Sequence, residues 1–234
     1  MKVIILAGGL GTRISEETSD KPKPMVLLNQ KPILWHIMSI YASQGFKEFI
    51  VAAGYKGDVI SQWVTNLNSD WDIQVVDTGV DTQTGGRVKQ CMKLFPEESF
   101  FVTYGDGLAN VDLKKLLEFH SNHGKLATLT AVRPPARFGY LELDKSEVVN
   151  FGEKKQSKAG WINGGFFLLE PEVKSYVWGD EEPLEIGALP RLVEKSQLMA
   201  FRHEGFWQPM DTLREKNDLN QLALENTPLW LQGY

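Results

Sequence analysis

The chain has 234 residues, with 25 Lys and Arg against 30 Asp and Glu and a formal charge of −5 at neutral pH. Both signs are mixed along its length, so it carries no basic field for a nucleic-acid backbone, and a phosphate ligand must be held by local groups or a metal. Its single cysteine, Cys91, excludes an intrachain disulfide framework and fits a reducing compartment.

The apolar run Val3-Ile4-Ile5-Leu6-Ala7 opens the chain and ends in Gly8-Gly9-Leu10-Gly11-Thr12-Arg13. The run is too short for a signal-peptide core or a membrane span, which predicts a soluble cytoplasmic protein with no membrane partner. A buried strand opening into three glycines and an arginine brings bare backbone N–H groups against a polyphosphate. It is not the dinucleotide fingerprint, because Ile14 stands where the third glycine falls, and no Gly-Lys-Ser/Thr closes a P-loop. Ten residues on, Lys21-Pro22-Lys23-Pro24-Met25 adds cations on a stiffened segment. The alternative reading of these residues is a tight strand-to-helix turn followed by a Pro-rich surface loop.

Strand-like runs at 3–6, 49–53, 73–76, 100–104 and 127–132 alternate with apolar residues at helical spacing. The helical sets are Ile33, Leu34, Ile37, Met38 and Tyr41; Val59, Ile60, Trp63, Val64 and Leu67; and Leu113, Leu116, Leu117 and His120. Cys91, with Val88, Met92 and Leu94 around it, reads as a small core residue of a further helix. This rhythm predicts an α/β fold, a Rossmann-like mostly parallel sheet with helices on both faces and ligands beyond the carboxyl ends of its strands. After residue 133, shorter strands at 140–143, 148–151 and 165–169, broken by Pro134-Pro135 and Gly160, predict a small β-rich lobe that shares the core and closes over a cleft. A last helix follows Met210-Asp211-Thr212, with Asp211 or Thr212 as its N-cap. His36 falls in an apolar stripe and reads as a packed side chain, while His120, His123 and His203 lack metal-ligand spacing.

The glycine loop followed by a Lys-Pro pair resembles the signature of the sugar-1-phosphate nucleotidyltransferases. The resemblance runs through Ser15-Glu16-Glu17-Thr18, Pro32-Ile33-Leu34-Trp35-His36, Gly54-Tyr55-Lys56-Gly57, Thr84-Gly85-Gly86-Arg87, Thr103-Tyr104-Gly105-Asp106-Gly107, Ile162-Asn163-Gly164-Gly165 and Phe206-Trp207-Gln208-Pro209-Met210-Asp211-Thr212. The glycine loop marks the superfamily; the later blocks point to its cytidylyl branch. That resemblance implies transfer of a cytidylyl group from CTP to α-D-glucose 1-phosphate, giving CDP-glucose and pyrophosphate for deoxysugar or surface-polysaccharide synthesis. Another triphosphate (UTP or GTP) or another sugar 1-phosphate is the alternative. A non-catalytic regulator on the same fold is expected to lack a metal carboxylate or the loop lysine, and this chain keeps Asp106, Asp211 and Lys23.

The resemblance also implies roles. Leu6, Ala7, Gly8, Gly9, Gly11, Thr12, Arg13 and Lys23 bind the nucleotide, together with Thr84, Gly85, Gly86 and Arg87. Arg13 and Lys23 are catalytic, with Lys23 rather than Lys21 at the α-phosphate. Asp106 and Asp211 hold Mg2+, a hard cation suited to carboxylate, water and phosphate oxygens. Tyr104, Gly139, Glu153, Lys154 and Asn163 bind the sugar phosphate. Selection of cytosine needs an acceptor for its exocyclic amino group, most simply a backbone carbonyl near the Gly8–Gly11 turn or a group near Thr84. The chain is expected to be a single domain, with 1–132 mainly a nucleotide-binding core, 133–210 mainly a sugar-binding lobe and 211–234 a C-terminal helix. A homo-oligomer is expected too, although the family's longer insertion, which helps form subunit contacts, is here reduced to residues 67–76.

Overall fold

Strand β1 (Lys2–Ala7) lies at the centre of the sheet because both of its faces are covered, which is why its sequence is a continuous apolar run rather than an alternation. Val3, Ile5 and Ala7 enter one core and Ile4 and Leu6 the other. Full burial of side chains such as Ile4 and Ile5 stabilises by about 1.5–3 kcal/mol each. The computed structural model describes residues 1–95, 97–134, 140–152 and 160–233.

After β1 come α1 (Ser15–Thr18), the short pair β2 (Leu27–Leu28) and β3 (Lys31–Pro32), then α2 (Ile33–Ser43), β4 (Glu48–Ala53), α3 (Gly57–Thr65) and β5 (Asp72–Asp77). Helix α4 (Thr84–Cys91), β6 (Phe100–Tyr104), β7 (Gly107–Ala109), α5 (Leu113–His123) and β8 (Ala127–Val132) follow. The remaining elements are β9 (Tyr140–Asp144), β10 (Glu147–Gly152), β11 (Ile162–Asn163), β12 (Phe167–Leu169), α6 (Ala188–Glu194), β13 (Leu198–His203), β14 (Trp207–Pro209) and α7 (Leu213–Leu222).

β1 runs parallel to β4 on one side and to β6 on the other, with Val3 opposite both Phe49 and Phe101. β5 extends the sheet beyond β4 in parallel; on the far side β12 is antiparallel to both β6 and β8, and β13 is parallel to β8. Among the described residues this makes an eight-stranded, mostly parallel sheet. Helices α2, α5 and α7 cover one face, α4 and α6 the other. The central strand therefore has neighbours reached in opposite directions, and the crevice at its carboxyl end is where such sheets bind ligands.

Three details differ from the sequence reading or sharpen it. The run at 165–169 is a strand only from Phe167, because Gly165 (φ 77°) and Phe166 (φ 47°) are left-handed and separate β11 from β12. Gly165 is required there, since a Cβ would lie 2.9 Å from the Tyr104 ring. β11, β12 and β13 all join the main sheet, and β9 with β10 forms a separate two-stranded sheet. The cap of α7 is Thr212: its hydroxyl accepts from Glu215 N, and the Glu215 carboxylate accepts from the Thr212 and Asp211 N–H groups. That arrangement leaves the Asp211 side chain free to point elsewhere. His36 is packed, its Nε2 against the Leu28 carbonyl and its pKa lowered by burial; Cys91 is buried and its thiol is pushed up to about 12.

Candidate active site

A cleft of about 800 Å³ opens at the carboxyl ends of β1 and β6. Leu6, Ala7, Gly8, Gly9, Gly11, Thr12, Arg13 and Lys23 all line it, and Lys21 is absent from its wall. The turn works because of local packing. Gly11 is left-handed at φ 66°, and a Cβ on Gly8 would fall 2.0 Å from Arg87 Nη1. Gly105, beyond β6, lets the chain pass the Leu6 carbonyl and the Pro24 ring, which a Cβ would approach at 2.6 and 3.1 Å. The stiff Pro22-Lys23-Pro24 segment can thereby deliver the Lys23 ammonium into the cleft.

Lys23 Nζ donates to Asp106 Oδ2 and to Asp211 Oδ1, both at 2.7 Å, and Arg13 Nη1 donates to Asp211 Oδ2 at 2.6 Å. Residues separated by more than a hundred positions meet because β14 pairs with β7, Pro209 opposite Gly107, and Met210 N bonds the Asp106 carbonyl at 2.8 Å. Burial alone would raise the Asp211 carboxyl; the Lys23 ammonium and the Arg13 guanidinium overcome it and hold it below the usual carboxylate range. Both carboxylates lie within hydrogen-bond distance of one nitrogen, close enough to share a cation. Among the described residues no group of three or more His, Cys, Asp or Glu side chains is gathered for a metal. Two carboxylates alone suit a hard cation that completes its shell with substrate oxygens and water.

A second polar group lies on the other flank. Tyr104 Oη donates to Glu185 Oε1 at 2.5 Å, Asn163 Nδ2 donates to Tyr104 Oη at 3.0 Å, and Thr84 Oγ1 donates to Glu185 Oε2 at 2.7 Å. Burial first, and then the Glu185 carboxylate, drive the Tyr104 phenol well above its ordinary value.

The structure divides the Thr84-Gly85-Gly86-Arg87 block: Thr84 and Arg87 line the cleft, and Gly85 and Gly86 do not. Gly85 and Gly86 are buried against residues 180–184, where Cβ atoms would meet Glu182 O at 2.6 Å and Asp180 Cα at 2.5 Å; Gly85 N donates to Glu182 O. The Gly85 N–H is thereby committed, and the two glycines allow close packing of two segments. Arg87 reaches the cleft wall, yet its terminal nitrogens donate to Ala53 O (3.0 Å), Gly8 O (3.1 Å), Val80 O (3.2 Å) and Thr78 Oγ1. It fastens the glycine turn rather than extending into the cleft. Of the acceptors expected near the Gly8–Gly11 turn and Thr84, the Gly8 carbonyl accepts from both Tyr55 N and Arg87, and the Thr84 hydroxyl is held by Glu185 and Leu184 N.

Gly139, Glu153 and Lys154 lie outside the described residues. The sequence reading missed residues 80–83 and Glu181, which line the cleft, and Glu185, which braces it. The first of these had a signal, a polar loop at the carboxyl end of a parallel strand; the two glutamates had none, since they arrive from a distant loop.

A glycine turn, two cations and two carboxylates at the carboxyl end of a parallel sheet define a phosphate-handling site of the nucleotide-transferring kind. The chain matches the nucleotidyl transferase family over residues 2–218 and belongs to it. It is 46% identical to the glucose-1-phosphate cytidylyltransferase of Salmonella typhi, covering 98% of each chain. It is 39% identical to the probable glucose-1-phosphate cytidylyltransferase of Bacillus subtilis, covering 98% of this chain and 99% of that one. Among solved structures, HddC from Yersinia pseudotuberculosis complexed with GMP-PN is similar at a TM-score of 0.75 and 26% identity, over 94% of this chain and 98% of that one.

Proposed function

We propose that this protein transfers the cytidylyl group of CTP to α-D-glucose 1-phosphate, giving CDP-glucose and pyrophosphate. The observation that carries this reading is the 46% identity over nearly the full length of both chains to an enzyme named for that reaction. Lys23, Arg13, Asp106 and Asp211 at one end of the cleft support it.

The sugar phosphate oxygen is ionised near neutral pH and attacks the α-phosphorus; the bond to the bridging oxygen breaks and pyrophosphate leaves with its electron pair. No general base is needed, and His36, His120, His123 and His203 are absent from the cleft wall. The glycine-turn N–H groups and Arg13 suit the β- and γ-phosphates, and Lys23 the α-phosphate. Asp106 and Asp211 are the residues that would hold Mg2+, which supplies charge stabilisation on the phosphate oxygens when bound. The cytosine amino group is read by Asp81 or Glu181, carboxylates on the cleft wall that carry no ion pair or hydrogen bond among the described residues.

On this reading residues 1–132 mainly serve the nucleotide, 133–210 mainly the sugar phosphate, with Tyr104 and Asn163, and 211–234 closes the fold. The single buried cysteine supports a reducing cytoplasmic setting, and among the described residues no helix is long and apolar enough to cross a membrane. A homo-oligomer is part of this reading, on the family resemblance alone. Pyrophosphate release on mixing the protein with CTP, glucose 1-phosphate and Mg2+ is the direct test; no release with CTP, but release with another triphosphate, would move the assignment to another branch of the family.

A further inference from the structure

Glu185 stands outside the cleft wall, yet it is bonded to two residues of that wall from different elements: Thr84, which opens α4, and Tyr104, which ends β6. A carboxylate accepts and never donates, so the direction of each bond is fixed. Tyr104 gives its only proton to Glu185, and its oxygen is left as an acceptor, which takes Asn163 Nδ2–H at 3.0 Å. At the other end of the amide, Gly165 N donates to Asn163 Oδ1 at 2.9 Å. Both ends of the Asn163 amide are thus assigned by partners that admit one polarity, and among the described residues one Nδ2–H remains uncommitted.

We infer that Glu185 is a positioning residue that sets the hydrogen-bond polarity of the sugar half of the site, making Asn163 a donor toward a sugar hydroxyl oxygen. Without Glu185 the Tyr104 proton has to find another acceptor, the anchor on Asn163 Nδ2 loosens, and Tyr104 presents a mobile O–H at the cleft wall. Thr84 keeps its tie to Leu184 N at 2.8 Å, so the nucleotide flank retains a second anchor. The loss therefore falls on the sugar phosphate and spares the triphosphate. This rests on the cytidylyltransferase reading only for the choice of substrates.

The test measures KM separately for the sugar 1-phosphate and the triphosphate in the wild type, Glu185→Ala, Tyr104→Phe and the double variant, each checked for folding by circular dichroism. Wild-type turnover is measured first; if the productive pair is not CTP and glucose 1-phosphate, the function assignment fails visibly and the same comparison runs with the pair that is turned over. Each single variant is expected to raise KM for the sugar phosphate roughly ten- to hundredfold with KM for the triphosphate within about threefold, and the double variant to be no worse than the worse single one. Glu185→Gln, which keeps an acceptor oxygen for Tyr104, is expected to restore most of the loss. If Glu185→Ala does not fold, Glu185→Gln carries the comparison, raising the sugar-phosphate KM a few-fold with Tyr104 present and leaving it unchanged in the Tyr104→Phe background. Equal rises in both KM values, or full multiplication of the two single effects, would overturn the inference and reduce Glu185 to a structural brace.

Discussion

Replacing Lys23 by Met removes a charge while keeping most of the side chain's length, and its effect can be worked from the geometry. Two unit charges about 4 Å apart at an effective dielectric near 20 interact by about 4 kcal/mol before desolvation is subtracted. Lys23 is 12% exposed and its partners Asp106 and Asp211 are 32% and 19% exposed, so only part of that gross term is lost to solvent. In the nucleotide-free protein the ammonium holds the position between the carboxylates, in competition with a divalent cation. Lys23→Met should therefore bind Mg2+ or Mn2+ more tightly without nucleotide, by about 1.5–3 kcal/mol, or ten- to hundredfold. Turnover should move the opposite way, falling by about 2.7–4 kcal/mol of transition-state stabilisation, because the same ammonium is taken from the α-phosphate. Titration of nucleotide-free protein with Mn2+ under electron paramagnetic resonance reads the first effect and pyrophosphate release the second. Unchanged metal affinity with unchanged turnover would refute the reasoning, and a larger loss of turnover in Lys21→Ala would show that the wrong lysine had been chosen.

Other expectations follow from the same cleft. Asp106→Asn and Asp211→Asn should each lower kcat by roughly two orders of magnitude in a folded protein, measured by pyrophosphate release. Asp81→Asn with Glu181→Gln should narrow an expected roughly ten- to hundredfold preference for CTP over UTP in kcat/KM; a preference that survives both changes places the base reader elsewhere. Gly8→Ala should destabilise by about 2 kcal/mol or more in denaturant titrations, since its Cβ would fall on the Arg87 guanidinium. Cys91, buried and with its thiol raised to about 12, should not react with a thiol reagent at pH 8 until the chain unfolds, and rapid native reaction would contradict its packing. Thr212→Ala should cost about 0.5–2 kcal/mol through loss of the α7 cap.

The glycine-turn end of the cleft was legible in the sequence because its signals are local: an unbroken apolar strand, a turn of glycines and the Lys-Pro pair lie within 25 consecutive residues. The sheet was legible for the same reason, since buried parallel strands read as continuous runs between helical patterns. β13 escaped although Leu198-Met199-Ala200-Phe201 is an apolar run, because that run follows closely on α6 without a glycine or proline to separate it and ends in Arg202-His203. The partners of Arg87 and the reach of Glu185 escaped for a different cause. Thr84-Gly85-Gly86-Arg87 looks identical on paper whether its glycines meet a ligand or a neighbouring loop, and only the approach of residues 180–184 decides between them. The junction of Asp106 with Asp211 was foreseeable from the family pattern alone, as the three-residue strand that joins them is too short to leave a period.

Arg87 couples parts of the molecule that protein engineers would treat as separate modules. One guanidinium is tethered to the phosphate turn at Gly8, to the end of β4 at Ala53, and to the loop after β5 at Thr78 and Val80. Exchanging residues 78–83 for a relative's loop to alter base choice will consequently disturb the phosphate turn as well, unless the graft preserves a hydroxyl at 78 and a carbonyl in register at 80. The loop and the glycine turn are mechanically joined in this scaffold, and a library that varies the loop should vary or retain Arg87 with it.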